Sequence, residues 1–355
     1  MMRDYLLILT IFLVMVPIFS LSQLVTPPNN TIISNLNQSI TATVTSSVNT
    51  STWIDWDNSL VGYWNFDSGN STHSYDLSGN GNHGEYRNGA QSSQSNSIWG
   101  NNVNLDGLND VVEIPDKNII NSNSGSISFW YYSRDLTNPD FIFYAGDSGD
   151  GFGDTDDFQI FVTSSGTLQV VEYYDVSVFY FSNSISGSKN IWTHGVFSWD
   201  NTKGETRLVM NGDQVNSDSS TGNLKVSTWG VDSLRVGAHF TENNRERNFN
   251  GRIDEVMIFN RELSLEEIKS LYNSQVNQFR YNATNLDNET QYNYSIYSIN
   301  TSGYLLKETY NFYTNTSYTF LPITNNQSLF PSHGGFTFLS IFLILLIYFK
   351  KKGFV

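Results

Sequence analysis

Among its 355 residues the chain has no cysteine. Any exported part therefore lacks disulfides and must hold itself by core packing, metal or glycan. Charged residues are also scarce, at 15%, while aromatics reach 15% and Gly, Asn, Ser and Thr are abundant. That mix disfavours helical bundles and suits strands and turns. Basic residues are outnumbered 34 to 19, a formal net charge of -15, which argues against nucleic acid as a partner. No phosphate loop, zinc spacing or nucleophile motif is found.

What is present begins at the two ends. Residues 1–22 carry Arg3, then an apolar stretch from Tyr5 to Phe19, then Ser20-Leu21-Ser22 with small residues where a signal peptidase reads. This predicts a signal peptide, with an uncleaved anchor as the alternative. Phe336 to Phe349 is nearly all apolar and precedes Lys350, Lys351 and Lys352. The positive-inside rule keeps 350–355 as a basic cytoplasmic tail and places the rest outside, so the expected location is the cell surface. At 336–349 the segment is shorter than the roughly 20 residues of a usual span. A thin membrane, or trimming after sorting, accounts for that. The tail resembles archaeal carboxy-terminal sorting signals, with Gly334-Gly335-Phe336 where those carry Pro-Gly-Phe.

Asn-x-Ser/Thr sequons stand at Asn29, Asn37, Asn49, Asn70, Asn282, Asn288, Asn293, Asn300, Asn315 and Asn326. None lies between Asn70 and Asn282. Either the Asn-rich composition produces this by chance, or the flanks are a glycosylated surface around a distinct middle module. That module, about 60–274, reads as strands. Ile127, Phe129 and Tyr131 alternate onto one face, as do Phe158, Ile160 and Val162. Asn211-Gly212 between two apolar runs is a hairpin signal. Near the module's end, "GRIDEVMIFNRELSLEEIKSLYN" starts as a strand and continues as a helix. Ser264 and Glu267 have capping-box spacing, and Leu263 and Ile268 staple spacing. So short a helix must dock on something.

The segments "LVGYWNFDSGN", "DLSGNGNHGEYRNGA", "SISFWYYSRD", "IWTHGVFSWD", "LVMNG" and the strand–helix segment occur in an order that resembles laminin G-like, concanavalin A-like jelly-roll domains. The resemblance covers about 60–274 and implies an all-β sandwich of two antiparallel sheets. It also implies that the last strand lies beside the first, with the short helix covering the end of the sandwich. Residues 279–316 resemble the late strands of a fibronectin type III or immunoglobulin-like sandwich, with Leu286, Thr290 and Tyr292 similar to a tyrosine corner. Residues 23–58 supply the missing early strands if the jelly roll is inserted into one small β-sandwich, split around it. Residues 317–335 read as a linker.

Some relatives are glycoside hydrolases with a Glu-x-Asp-x-x-Glu strand. No glutamate here is followed two positions later by aspartate, and Glu172 and Asp175 fall on opposite strand faces. The expectation is a non-enzyme. The resemblance implies a structural Ca²⁺ where first and last strands meet, with Asp67, Asp76 and Asp254 as oxygen donors. The alternative for Asp76 is an Asx-turn cap. A second acidic cluster, Asp147, Asp150, Asp154, Asp156 and Asp157, is a candidate calcium or sugar-hydroxyl loop, or a solvated loop. His83, His194 and His239 read as packed or turn residues. Trp130, Trp192 and Trp199 read as core, whereas Trp99 and Trp229, in turn-rich stretches, are freer to be exposed. The leading functional expectation is binding of a glycan or surface polymer. The alternatives are a structural or adhesive envelope protein without a small ligand, and a degraded hydrolase.

Overall fold

The computed structural model describes residues 22–317 except 46–49, 57, 116–118, 121, 138, 147–155, 175–176, 187–188, 219–232, 240–247, 273–277, 284 and 301–304. The apolar segments at both ends, Asn49, Asn326, Asp175, Trp229 and Asp147, Asp150 and Asp154 lie outside the described residues. Asp156 and Asp157 open a strand.

Two eight-stranded antiparallel sheets form the middle module. Sheet I runs Asp213–Asp218, Glu205–Met210, Thr193–Asp200, Ser124–Ser133, Asn250–Phe259, Asn102–Asp106 and Gln91–Ser93, with Leu60–Trp64 also on Asn250–Phe259. Sheet II runs Ser177–Ser186, Thr167–Tyr174, Asp156–Val162, Asp140–Gly146, Ser233–Val236, Val111–Ile114, Gly84–Arg87 and His73–Ser74. Alternate residues of both sheets, among them Ile127, Phe129, Tyr131, Phe158, Ile160 and Val236, interdigitate in one core. This is the jelly-roll sandwich expected from sequence. Asn211 and Gly212 take φ of 50° and 78°, the left-handed pair a two-residue hairpin requires.

The last strand does return beside the first. Val256 pairs with Trp64 and Ile258 with Gly62. The other half of the same strand pairs with Asn102–Asp106, through Arg252–Asn104 and Ile253–Val103. The partner therefore changes near Asp254 and Glu255. The strand also bulges there: Ser128 pairs with Met257, but Trp130 pairs with Asp254. Glu255 absorbs the extra residue in a left-handed conformation, φ 51°.

Leu265–Tyr272 is the helix. Glu267 Oε2 accepts from the Ser264 N–H at 2.9 Å, and Ser264 Oγ from the Glu267 N–H at 3.3 Å, closing the capping box. Arg261 grips the Glu267 carboxylate with two donors at 3.0 and 2.6 Å. The helix covers the outer face of sheet I: Leu263, Ile268 and Leu271 bury against Val196, Val209, Met257 and Phe259.

The segments on either side of the jelly roll pair with each other. Gln38–Thr45 joins Ser22–Thr26 to Gln278–Ala283. Gln291–Asn300 joins Thr50–Trp56 to Leu305–Thr314, and Leu305–Thr314 pairs in parallel with Thr31–Ile33. These two sheets share a second core around Ile40, Ile54, Tyr294, Ile296 and Phe312. Tyr292 Oη accepts from the Asp287 N–H at 2.7 Å.

The two sandwiches meet on aromatic rings. Trp53 stacks on Tyr297 at 5.4 Å and 8°, and meets Tyr63 of the jelly roll edge-on at 5.6 Å. The helix contributes Ile268 and Leu271 to the same buried cluster. Lys307 lies over Tyr297 and donates to the Ser78 carbonyl at 3.3 Å.

Candidate functional site

Where sheet I changes partner strand, a gap in the ladder is filled by carboxylates and by the segment 95–101. Asp254, fully buried, accepts from the N–H groups of Ile98 at 3.3 Å, Trp99 at 3.5 Å and Glu255 at 2.9 Å. Asp67 accepts from the Asn101 N–H at 2.6 Å. Glu255 accepts from the Tyr63 hydroxyl at 2.7 Å. One loop thus clamps two acids that lie 187 positions apart in sequence (254 − 67). Burial pushes the Glu255 carboxyl up to about 8 and Asp67 to about 7, and Asp67 also repels Glu255. Asp254 is driven well above the ordinary range by burial and by the charges of Glu255 and Asp67. Among the described residues Glu255 Oε1 and His194 Nδ1 have no hydrogen-bond partner, and both residues border a small cavity with Trp53, Trp130 and Leu271.

Asp67, Asp76 and Asp254 are not gathered around a common point. Among the described residues, no three carboxylate or imidazole side chains are placed to hold a metal ion. Asp76 is engaged in its own turn. It accepts from the N–H groups of Tyr63, Ser78 and Asn82 at 2.9, 2.9 and 3.0 Å and from the Ser78 hydroxyl at 2.9 Å. That is the Asx-turn role.

The same 95–101 segment borders an accessible surface. Cross-strand register places Tyr132, Arg252, Asn104 and Gln91 in one row on the outer face of sheet I. Trp192 comes alongside Tyr132, with ring centroids 5.6 Å apart. The Arg252 guanidinium lies 5.1 Å from the Tyr132 centroid and donates to Ser95 Oγ at 3.4 Å. Trp192 Nε1 donates to the Asn96 carbonyl at 2.9 Å. Arg134, just past the strand end, donates to the Leu105 carbonyl at 2.9 Å and to Asn104 Oδ1. Tyr132, Arg134, Trp192 and Arg252 are half-buried, and the neighbouring Ile191 is 57% exposed.

Sheet II has a comparable row, Glu113, Arg235, Tyr144 and Gln159, on the face away from the core. His239 meets Tyr144 at 4.6 Å and Phe141 at 5.2 Å. Tyr144, Gln159, Phe141 and His239 are all buried, so this row offers a ligand little contact surface.

Of the tryptophans read as core, Trp130 and Trp199 are buried, but Trp192 is half-exposed. Trp99, expected to be freer, is 5% exposed. Its loop turns inward because the Ile98 and Trp99 N–H groups satisfy Asp254. His194 and His239 are packed, and His83 Nδ1 accepts from the Asp76 N–H in a turn. Glu255, Arg134 and Arg252 were not among the residues expected from sequence. A carboxylate and an arginine on either side of the strongest strand motif were the available signal. Asn29, Asn37, Asn70 and Asn288 are exposed, and Asn293 and Asn315 half-buried.

Residues 106–269 match the family model described as Concanavalin A-like lectin/glucanases superfamily. No curated protein matches the chain in sequence. Similar solved structures include domain 4 of AbnA, an extracellular arabinanase from Geobacillus stearothermophilus, in complex with arabinotriose. It has 20% identity and a TM-score of 0.47, with 60% of this chain and 98% of that chain covered. The CBM40 of the Ruminococcus gnavus IT-sialidase, bound to alpha2,3 sialyllactose, has 15% identity and a TM-score of 0.39, covering 42% of this chain and 82% of that one. A Trypanosoma rangeli sialidase has 15% identity and a TM-score of 0.46, covering 61% and 33%. Residues 106–269 are thus similar to the concanavalin A-like lectin/glucanase superfamily, in keeping with the jelly-roll fold of the module that holds them.

Proposed function

We propose that the protein is a glycan-binding cell-surface protein whose jelly roll carries recognition on the outer face of sheet I. One observation supports this above others. The Trp192–Tyr132 platform stays accessible beside hydrogen-bonding Asn104, Ser95 and Arg252, while the aromatic row of sheet II is buried. Aromatic faces take the apolar C–H face of a sugar, and the flanking amides and hydroxyls take its hydroxyl groups. Binding is favoured over hydrolysis because Asp254 and Glu255, where sheet I changes partner strand, are buried and already accept hydrogen bonds. A glycan array tests the reading. Trp192→Ala should lower retained signal on any bound glycan by about 30-fold, the loss expected for an anchor worth about 2 kcal/mol. No binding by the unaltered chain favours an envelope protein without a small ligand.

The location is part of the same proposal. The basic residues after 336–349 favour a chain exported and held at its carboxyl end. Protease added to intact cells should remove nearly the whole chain and spare a small carboxyl fragment. Mass spectrometry of the released peptides should find glycan at exposed flank sequons such as Asn37 and Asn288. A protected jelly roll would reverse the orientation.

A further inference from the structure

We propose that Arg134 and Arg252 form a subsite for the carboxylate groups of an acidic polysaccharide, with Trp192 and Tyr132 as its stacking platform. This rests on the glycan-binding reading and names the class of sugar.

In a chain of net charge -15, two guanidinium groups are held together on one surface. Arg134 bonds Asn104 Oδ1, and Asn104 is the cross-strand partner of Arg252. Every other described arginine of the jelly roll pairs with a carboxylate: Arg87 and Arg235 with Glu113, Arg207 with Glu262, Arg261 with Glu267. Among the described residues, Arg134 and Arg252 have none. The acids nearest in sequence have their oxygens engaged elsewhere. Asp135 accepts from Thr137, Asp140 from the Ser133 hydroxyl and the Asn250 N–H, and Asp254 from the 98–99 N–H groups. Two adjacent guanidiniums repel, and desolvation together with Arg252 lowers the Arg134 pKa. An anion between them removes that penalty.

Donor supply agrees. A guanidinium carries five N–H donors. Arg134 uses two on Leu105 and Asn104, and Arg252 one on Ser95. Arg252 Nε is buried and has no partner among the described residues, so the donors left to a ligand are those of the two terminal nitrogens. The Arg252 guanidinium stacked on Tyr132 keeps a planar edge of donors, and that fork matches the two oxygens of a carboxylate. The rings beside it supply the sugar contact, so the arrangement fits a carboxylate on a sugar better than a free small anion.

The test uses the full chain and three polymers: polygalacturonate, its methyl ester and neutral galactan. The ester keeps the ring and removes the charge. Polygalacturonate should bind at least about tenfold more tightly than its ester, with the difference shrinking as salt rises. Arg252→Gln and Arg134→Gln should each remove most of that preference, bringing the acid and its ester to similar affinities. Trp192→Ala should weaken both polymers together. Equal affinity for acid and ester would overturn the carboxylate subsite but leave the glycan reading standing, provided ester or galactan still binds. A preference that survives in both arginine variants would place the anion elsewhere and also overturn it. Binding to none of the three polymers, together with an empty glycan array, sinks the glycan reading and the subsite with it.

Discussion

The melting temperature should be highest at about pH 4, the unfolded pKa of the buried carboxyls, and fall as pH rises toward 8.5, with one group opposing the trend. On the alkaline side the agents are Glu255, raised to about 8 by burial, and Asp254, raised well above its ordinary value. Asp67 and Asp140, each raised to about 7 chiefly by burial, act in the same direction. A carboxyl whose folded pKa lies above its unfolded value holds a proton that the unfolded chain has released. Its contribution is therefore intact below the unfolded pKa and is lost as pH rises through the folded one. Between pH 6.5 and 8.5 the combined loss should be on the order of 2–4 kcal/mol, at about 1.4 kcal/mol per pKa unit. That corresponds to a fall of roughly 5–15 °C in a domain of this size. The opposing group is His194, buried as neutral imidazole and lowered to about 3 by desolvation. Unfolding frees it to take a proton below its ordinary pKa of about 6.5, which offsets part of the stability the four carboxyls add as pH falls and dominates only below about pH 4.

Glu255→Gln separates these contributions. Glutamine keeps the length and can still accept from the Tyr63 hydroxyl, but it carries no charge. The fall between pH 6.5 and 8.5 should become shallower, the remainder being carried by Asp254, Asp67 and Asp140, and the His194 effect should remain. A wild-type melting temperature that stays level or rises from pH 6.5 to 8.5 would contradict this account. Calcium added at pH 8.5 supplies the other arm. A rise in melting temperature, absent in Asp254→Asn, would mean that a cation relieves the repulsion that protons otherwise relieve. No rise leaves protonation as the only relief.

The second large effect concerns the junction. Trp53→Ala should cost about 3–5 kcal/mol, the usual range for truncating a buried aromatic. The ring is 2% exposed and touches three partners from different parts of the chain: Tyr297 of the flanking sandwich, and Tyr63 and Leu271 of the jelly roll and its helix. Calorimetry should show one transition for the wild type and two for the variant, because the ring that couples the sandwiches is gone. The isolated 60–274 module should show the same weakness, since cutting there bares the junction cluster. A variant that still unfolds in one step, with a loss under about 1 kcal/mol, would mean that the sandwiches are coupled through other contacts, such as Lys307 on Ser78 or Asp55 on Leu60.

The helix expected as a lid is also a wedge in this junction. Its capping box and staple were legible because they are set by spacings of three and five residues. What it docks on was not, since the sequence gives no distance between Ile268 and Trp53.

The same division holds for the whole molecule. Strand alternation, the Asn211-Gly212 turn, the Ser264–Glu267 cap and the order of the family motifs were fixed by the sequence alone. Each depends on local periodicity or on backbone preferences of one or two residues. The tertiary structure alone decided which acids are buried together. One bulge at Glu255 and a change of partner strand bring Asp67, Asp254 and Glu255 under a single loop, while Asp76, chosen for the same chemistry, is held by its own turn. It also decided which aromatic rings reach water. Trp99 is drawn inward by N–H bonds to Asp254, and Trp192 is left half-exposed at the end of its strand. Arg134 and Arg252 stand 118 positions apart (252 − 134), and only cross-strand register makes them neighbours. Register is set by the fit of whole sheets, a long-range property that no short stretch of sequence carries.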